Sequence, residues 1–363
     1  MPASFRAGNP HQQIRFCRAA DGVRIAYAVH GTGPPLLIST CWLSHLQHDW
    51  ESPVWRHFLS DLGEFATVIR FDERGHGLSD WDVTDFSLEA RLGDLAAVAD
   101  DAGFATFALM AMAQGGPVAI TYAHRYPGRV TRLVFYDSYA DPLHGMTDDD
   151  IELEDAFEHI IKAGWGRPES TFRRVFSTQM IPDATEEQLG WLDELLRVSV
   201  SPRTAVLARQ QRKGADASAL MPQLTAPTLV LHSLRDRMNS FAHARHLSTG
   251  IPGARLVPLD SGNHILLADE PAWPQFVTAV RDFLADDRES AAVPARVPLA
   301  QVLSGREMQV LGLAAQGRDN DEIARRLTLS VRTVERHLQN IYAKLEVQGK
   351  SARTAAVARL LSG

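Results

Sequence analysis

The feature that most constrains this chain is the alternation of short apolar runs with amphipathic helical patterns. Strand-like runs occur at residues 35–40, 66–71, 107–110, 132–136, 228–232 and 255–257. Between two of them, Leu88, Leu92 and Leu95 recur at helical spacing after Ser87, a suitable N-cap. Strands that alternate with helices form a mostly parallel sheet that is covered by helices on both faces. The pattern therefore predicts an α/β fold.

One long segment, residues 139–224, interrupts this alternation. It carries helical periodicities, such as Phe157 with Ile160 and Ile161, and no convincing strand. We interpret it as a helical cap over one end of the sheet. Beyond it, an Ala-, Pro- and Arg-rich stretch predicts a linker, and the pattern then becomes wholly helical. The predicted domains are 13–287 with the cap at about 140–224, a linker at 288–300, and a second domain at 301–363.

Charge divides the chain in a similar way. Residues 297–363 contain 10 Lys and Arg against 6 Asp and Glu, although the whole chain has a formal net charge of −7. An acidic body with a basic tail indicates a polyanionic partner for the tail.

The two cysteines are too few for a disulfide framework or a thiolate metal site. No apolar run has the ~18 residues of a membrane span, and residues 1–10 lack a secretion signal. We therefore expect a cytoplasmic protein with no metal and no cofactor.

The C-terminal pattern is that of two helices joined by a tight turn. Residues 320–327 place Ile323, Ala324 and Leu327 on one apolar face, and Ser330 is a suitable N-cap for the next helix. The buried side of that next helix is formed by Val334, Leu338, Ile341 and Leu345. In a helix-turn-helix, the second helix enters the major groove of DNA.

The same region, residues 297–363, resembles the LuxR-type helix-turn-helix and includes the run S-x-R-T-V-x-x-H-x-x-x-I-x-x-K-L. The resemblance implies an all-α four-helix domain that binds double-stranded DNA. It also implies a homodimer, because the last helix of the family, here residues 351–361, commonly pairs with its copy. That segment could equally close the core of its own domain.

Six side chains of the second helix are candidate DNA contacts. Arginine bonds bidentately to guanine, glutamine bonds to adenine, and glutamate accepts from cytosine. On this basis the candidate base contacts are Arg332, Glu335, Arg336 and Gln339. Thr333 and Lys344 are better placed for phosphates, which orient a protein without reading sequence. His337 and Asn340 are ambiguous, and a histidine at such a position is more often a packed helix residue than a base contact.

Four separated motifs of the first domain occur in a defined order. They are DERGHGLS at 72–79, LMAMAQGGPVAITYAHRYPGRVTRLVFY at 109–136, PTLVLHSLRD at 227–236 and SGNHILLADEP at 261–271. The last three resemble the strand–elbow–helix, the acid loop and the histidine loop of an α/β-hydrolase, in the order that this fold uses. The resemblance covers about residues 13–287 and implies an α/β-hydrolase fold with a helical cap.

The nucleophile elbow departs from the family pattern. Where the family has G-x-S-x-G, this chain reads A-M-A-Q-G, so that Ala113 occupies the serine position. A methyl group has no lone pair with which to attack a carbonyl. Asp236 and His264 match the acid and the base, and the oxyanion donors would be the backbone N–H groups of Gln114 and Trp42. Because a backbone donor survives any side-chain change, a carbonyl or carboxylate can still dock there.

Three hypotheses account for Ala113. The one we favour is a natural ligand-binding pseudoenzyme, since Ala111 also replaces the first glycine of the motif. The second is an active hydrolase in which serine has been changed to alanine in the laboratory. The third is an enzyme with another nucleophile, for which the nearby loops offer Ser39, Cys41 and Ser233.

Together the two halves predict a one-component transcriptional regulator. Its catalytically degenerate α/β-hydrolase-like domain would sense a small-molecule ligand and thereby change DNA binding. The alternative is a serine hydrolase of the esterase or lactonase type fused to a DNA-binding domain, in a Ser-to-Ala form. A third hypothesis is that the hydrolase-like domain only mediates dimerisation. An apolar pocket with a few polar groups would suit an ester, a lactone or an acid.

Overall fold

One eight-stranded sheet organises the N-terminal part of the protein. The computed structural model describes residues 12–39, 43–286, 303–315 and 318–344. The strand order is β1-β2-β4-β3-β5-β6-β7-β8. β1 pairs antiparallel with β2, and β2 with β4, while the other neighbours are parallel. The strands are Gln13–Arg18 (β1), Arg24–Gly31 (β2), Pro35–Ser39 (β3), Thr67–Phe71 (β4), Phe107–Met112 (β5), Val130–Tyr136 (β6), Thr228–Ser233 (β7) and Arg255–Leu259 (β8).

Helices cover both faces of this sheet. The helices of the N-terminal part are Leu46–Glu51 (α1), Arg56–Gly63 (α2), Leu88–Asp101 (α3), Gly116–Arg125 (α4), Asp148–Gly164 (α5), Thr171–Met180 (α6), Glu186–Ser199 (α7), Pro202–Arg212 (α8), Phe241–Gly250 (α9) and Ala272–Ala285 (α10). On one face, α3, α4 and α9 bury residues such as Leu95, Ile120 and Leu247. On the other, α2 and α10 bury Phe58 and Phe276. The predicted α/β architecture is confirmed.

The sequence analysis missed the first two strands. β2 is buried from Ile25 to His30, and its alternating Ile25, Tyr27 and Val29 are residues typical of strands, so the signal was present and was not used. β1 is an edge strand in which Cys17 alone is fully buried. A strand that buries one side chain leaves a weak apolar signal. These two strands supply the antiparallel part of the sheet.

Helices α5 to α8 form the predicted cap, and they lie between β6 and β7 in the chain. α5 begins with a reciprocal capping box between Thr147 and Asp150, and α7 begins with another between Thr185 and Gln188. The cap has its own core, which includes Phe157, Ile161, Trp165, Phe176 and Leu196. Between residues 139 and 224 all the described regular elements are helical.

The chain divides into two compact units, residues 1–292 (the N-terminal unit) and 293–363 (the C-terminal unit). The described helices of the C-terminal unit are Gly305–Ala315 (α11), Asn320–Leu327 (α12) and Val331–Lys344 (α13). Their shared core includes Val310, Leu311, Ile323, Val334, Leu338 and Ile341. The predicted linker, Leu345 and the segment 351–361 lie outside the described residues.

The turn between α12 and α13 has the geometry of a helix-turn-helix. Asp319 and Glu322 form a capping box at the start of α12, and Thr328 ends that helix in the left-handed conformation with φ 53°. The Ser330 hydroxyl accepts a hydrogen bond from the N–H of Thr333 at 3.1 Å. The predicted N-cap of the second helix is thus confirmed, and it fixes where α13 begins.

Candidate functional site

The elbow between β5 and α4 is a sharp turn with a strained residue at its tip. Its residues are Ala113–Gly115, and Ala113 has φ 45°. The left-handed region costs an L-residue about 1–2 kcal/mol. The helix that follows starts very close to the segment after β6, because a Cβ on Gly116 would lie 1.9 Å from the carbonyl oxygen of Tyr139. The chain therefore keeps the backbone of a nucleophile elbow although the residue at its tip carries only a methyl group.

The structure brings Asp236 and His264 together. Nδ1 of His264 lies 2.7 Å from Oδ2 of Asp236, and both side chains are buried. Oδ1 of Asp236 accepts from the N–H of Met238 at 2.7 Å. The backbone carbonyl of His264 accepts from the Tyr136 hydroxyl at 2.8 Å. The backbone N–H of His264 donates to the Met180 carbonyl at 2.8 Å. The pair is therefore held by the core through Tyr136 and by the cap through Met180.

A second carboxyl group, Asp137, completes this side of the site, and the sequence analysis missed it. It follows β6 directly, with φ 44°, and accepts from the N–H of Ser233 at 2.6 Å and from its hydroxyl at 3.1 Å. Burial and the nearby Asp236 raise its pKa well above the usual range. An aspartate at the carboxyl end of a predicted strand was the available signal.

Ligand atoms of Asp137, Asp236 and His264 lie within 4.8 Å of one another, which is the spacing of a metal site. The hydrogen bonds to Ser233 and between Asp236 and His264 account for these groups without an ion. The absence of a metal stays a prediction.

The alternative nucleophiles are placed differently. Ser39 is buried, and its hydroxyl donates to the Gly115 carbonyl at 3.4 Å. The Ser233 hydroxyl donates to Asp137. Neither contact is to a histidine, the base that activates a serine nucleophile. Cys41 and Trp42 lie outside the described residues, and with them one of the two predicted oxyanion donors.

On the other side of the elbow, Gln114 contacts a buried network of charged side chains. The side-chain amide of Gln114 donates to the carboxylate of Glu73 at 3.2 Å, and its backbone carbonyl accepts from the Arg91 guanidinium at 3.1 Å. Arg212, from the cap, pairs with the same Glu73. Glu73 belongs to the DERGHGLS motif, but nothing in the sequence linked it to the two arginines. Only the folded chain brings these three elements together.

A small apolar cavity of about 50 Å³ lies beside the elbow. Its lining includes Met112, next to Ala113, together with Ile38, Trp55 and Phe58. Small-molecule sites usually have ~300–1,000 Å³. A ligand larger than a few atoms would therefore fit this cavity only if the surrounding side chains moved.

The predicted DNA contacts lie on α13. The four candidate base contacts are exposed on the face opposite the buried core, namely Arg332, Glu335, Arg336 and Gln339. The Thr333 hydroxyl lies 2.8 Å from that of Ser330, at the start of the helix. Asn340 is exposed and His337 is half-buried. One helix thus presents a polar face of the kind that reads DNA.

Lys344 has a partner that the sequence did not indicate. Its Nζ lies 2.7 Å from Oε2 of Glu307, a side chain that is only 5% exposed. The ion pair joins the end of α13 to α11. A phosphate contact by Lys344 would compete with this ion pair. The phosphate contact stays a prediction, and the ion pair gives Lys344 a second role in holding α13 against α11.

Two family models match the chain. Residues 34–271 match the alpha/beta hydrolase fold, and residues 301–357 match the luxR family of bacterial regulatory proteins. A putative carbamate hydrolase, RutD of Agrobacterium fabrum, is 25% identical over 227 residues, which cover 61% of this chain and 84% of that protein. The response regulator protein VraR of Staphylococcus saprophyticus is 23% identical over 185 residues, which cover 44% of this chain and 88% of that protein.

Among solved structures, an enol-lactonase from Burkholderia xenovorans superposes with a TM-score of 0.62 at 20% identity, covering 75% of this chain and all of that one (100%). At this identity the similarity concerns the fold. The chain belongs to the α/β-hydrolase-fold family, and it carries a LuxR-family DNA-binding domain fused behind the hydrolase domain. In the described part of the chain, every helix is too short or too polar to cross a membrane.

Proposed function

We propose that this protein is a transcriptional regulator whose hydrolase domain binds a small molecule without hydrolysing it. Occupancy of that domain changes the affinity of the DNA-binding domain for its site. Such coupling requires that the ligand bind two conformational states with different affinity. The protein acts in the cytoplasm, as a homodimer on a site with two-fold symmetry.

The observation that carries this proposal is the alanine at the tip of an intact elbow. Ala113 keeps the left-handed backbone, and the Asp236–His264 pair is formed, but no side chain at position 113 can attack a carbonyl. A site with this geometry retains the means to orient a ligand, including the backbone N–H of Gln114, and lacks the means to cleave it.

On DNA, we assign base contacts to Arg332, Glu335, Arg336 and Gln339 and a phosphate contact to Thr333. The four base-contacting side chains are exposed on α13. The helix is fixed in position by its buried face, so these side chains can be changed without disturbing the core of the unit.

The second candidate function is a serine hydrolase in a Ser-to-Ala form. The same elbow favours it, because a strained residue is often part of a catalytic mechanism. The two functions differ in what Ala113→Ser does. A restored hydrolase would show ordinary turnover, whereas a binding domain would gain little.

The test is hydrolysis of p-nitrophenyl acetate by the full chain and by three variants, His264→Ala, Ala113→Ser and the double variant. We expect the unchanged chain to show only a weak background that His264→Ala does not alter. True hydrolases without a triad member keep about 10³–10⁴-fold catalysis over water, so rates are compared with buffer. Turnover by the unchanged chain at ordinary esterase rates, lost in His264→Ala, would refute the binding role. High turnover by Ala113→Ser that needs His264 would favour the second function.

A further inference from the structure

The cavity beside the elbow is lined by residues of the sheet and of helix α2. Ile38 of β3 and Met112 of β5 line it from the sheet, and Phe58, Leu59 and Leu62 line it from α2. Its volume of about 50 Å³ has room for about four non-hydrogen atoms, since one water-sized sphere takes about 10–15 Å³. Most of the lining is apolar, so a group that fits here is short and carries no charge.

Two charged residues also line the cavity, and each has a buried polar atom without a partner. Asp49 and Arg70 form an ion pair in which Nη1 of Arg70 lies 3.2 Å from Oδ2 of Asp49. Both side chains are only 7% exposed. Oδ1 of Asp49 and Nε of Arg70 have no hydrogen-bond partner among the described residues, and neither has Nε1 of Trp55, another lining residue. The lining residues therefore have one unused acceptor and two unused donors.

The other polar groups around this ion pair are engaged with one another. Asp72, the nearest other carboxyl group, accepts from the Ser44 hydroxyl at 2.7 Å. Nη2 of Arg70 donates to the Leu46 carbonyl at 2.6 Å and to Oε1 of Gln12 at 2.7 Å. These contacts leave the three unused atoms without a partner, and a buried polar atom without a partner is unfavourable. A polar group inside the cavity would remove that cost.

The carboxyl group of Asp49 decides which chemical group suits these atoms. Burial raises the pKa of Asp49 to about 7, although Arg70 opposes the shift and Asp72 adds to it. Near neutral pH this carboxyl group is therefore present both as a carboxylate, which only accepts, and as an acid, which also donates. An ammonium group only donates, and a second carboxylate only accepts. A hydroxyl group does both, so it suits either form of Asp49 and also the N–H groups of Arg70 and Trp55.

We propose that the cavity binds a neutral hydroxyalkyl group of about three carbons, as one end of the ligand of the hydrolase domain. The hydroxyl pairs with Oδ1 of Asp49, and the alkyl chain lies against Phe58 and Met112. Met112 directly precedes Ala113, so the rest of the ligand extends from the cavity across the tip of the elbow. This inference rests on the proposed function only in naming the bound group as part of the signal.

The first test follows the methyl group of Met112 by NMR, in the full chain isotope-labelled at its methionine methyl groups. Met112→Leu identifies the resonance. Addition of n-propanol is expected to shift it saturably in the millimolar range, because a ligand of so few atoms has a limited affinity. Methoxyethane has the same number of non-hydrogen atoms but no donor, so it should bind at least about fivefold more weakly. Met308, of the C-terminal unit, is the internal control and should not shift.

Three results of this titration would overturn the proposal. Equal affinity for n-propanol and methoxyethane would mean an apolar cavity without a hydroxyl site. No shift of Met112 with either compound would mean that the cavity holds water only. Leu59→Phe, which fills the cavity, should abolish the shift, and a shift that persisted in this variant would place the alcohol elsewhere.

A double variant separates the polar contacts from the fold. Asp49→Leu with Arg70→Met replaces the buried ion pair by apolar side chains, a change that is often neutral for stability. It should remove the preference for n-propanol over methoxyethane while both compounds still bind. Arg125→Met with Glu89→Leu makes the same change at an exposed pair and should keep the preference. A preference that survives in the double variant of Asp49 and Arg70 contradicts the hydroxyl site.

Fluorescence anisotropy on a DNA site selected from random sequence separates this inference from the proposed function. Binding of n-propanol at Met112 that shifts DNA affinity supports both. Binding without a shift in DNA affinity supports the cavity as the site and contradicts its role in the signal. A shift in DNA affinity by n-propanol that leaves Met112 unmoved supports the proposed function and contradicts the cavity.

Discussion

In the hydrolase domain the arginines nearest the elbow, Arg74, Arg91 and Arg212, are buried and ion-paired, whereas Arg332 and Arg336 on α13 are exposed. In a low-dielectric interior a charge is strongly oriented by its partner, and in water it is screened. The same side chain therefore holds a fixed position in one unit and remains available for a partner in the other. Substitutions should consequently affect folding in the first unit and recognition in the second.

The largest expected effect is on the buried ion pair of Arg74 and Asp94. Arg74→Ala leaves a carboxylate that is 1% exposed without its partner. Breaking a buried pair typically costs about 3–5 kcal/mol. Urea denaturation should show this loss in the free energy of unfolding. The exposed pair of Arg125 and Glu89 is the matched control, and Arg125→Ala should cost about 0–1 kcal/mol. Equal losses for the two variants would remove the contrast between buried and exposed arginines.

Next in size is a pH effect from Asp137. Burial and Asp236 raise its pKa, so the folded state holds this proton to higher pH than the unfolded state does, whose carboxyl titrates near about pH 4. Stability therefore falls as pH rises, by about 1.4 kcal/mol per pH unit for one proton. Asp137→Asn should make this slope shallower as pH rises above about 4. The exposed Asp82→Asn is the control, and a slope equal in both variants would contradict the assignment.

A smaller effect is expected at Arg336. A bidentate arginine–guanine contact contributes about 1–3 kcal/mol of base discrimination. Arg336→Ala should relax base preference at one position in each half-site. Arg336→Lys should keep the phosphate attraction but lose the bidentate contact. Selection from random DNA measures both variants. An unchanged motif would identify Arg336 as a phosphate contact, and a one-residue shift of register would transfer readout to Glu335 or Arg332.

The smallest effect is expected at Lys344, where an exposed charge pairs with a buried one. Its exposed ammonium pairs with the buried Glu307, so Lys344→Ala should cost about 1 kcal/mol of stability. It should also weaken DNA binding about equally on all sequences and reduce the salt slope by about one. Arg332→Ala should affect DNA binding alone. Unchanged stability in Lys344→Ala would mean that the ion pair does not hold α13 against α11.

Local patterns and motifs predicted much of this molecule. The cap, the strands from β3 onward, the short α12 with Ile323 and Ala324 buried, and the proximity of Asp236 to His264 all follow from residues that lie within one segment or one motif. The cluster of Glu73, Arg91 and Arg212 could not be predicted, because its members come from three distant elements and form no pattern along the chain. The partner of Lys344 was missed for the same reason.

The left-handed elbow has a consequence for how this protein can change over time. Every alanine codon becomes a serine codon through one base change, GCN to UCN. The backbone at position 113 already has φ 45°, and the Asp236–His264 pair is already formed. A serine at this position would therefore need no change of these two features to occupy the place of a nucleophile. Under the proposed function, one base change would therefore restore the missing nucleophile, and the low turnover expected of Ala113→Ser would mean that the surrounding site, and not position 113 alone, keeps such a sensor from destroying its signal.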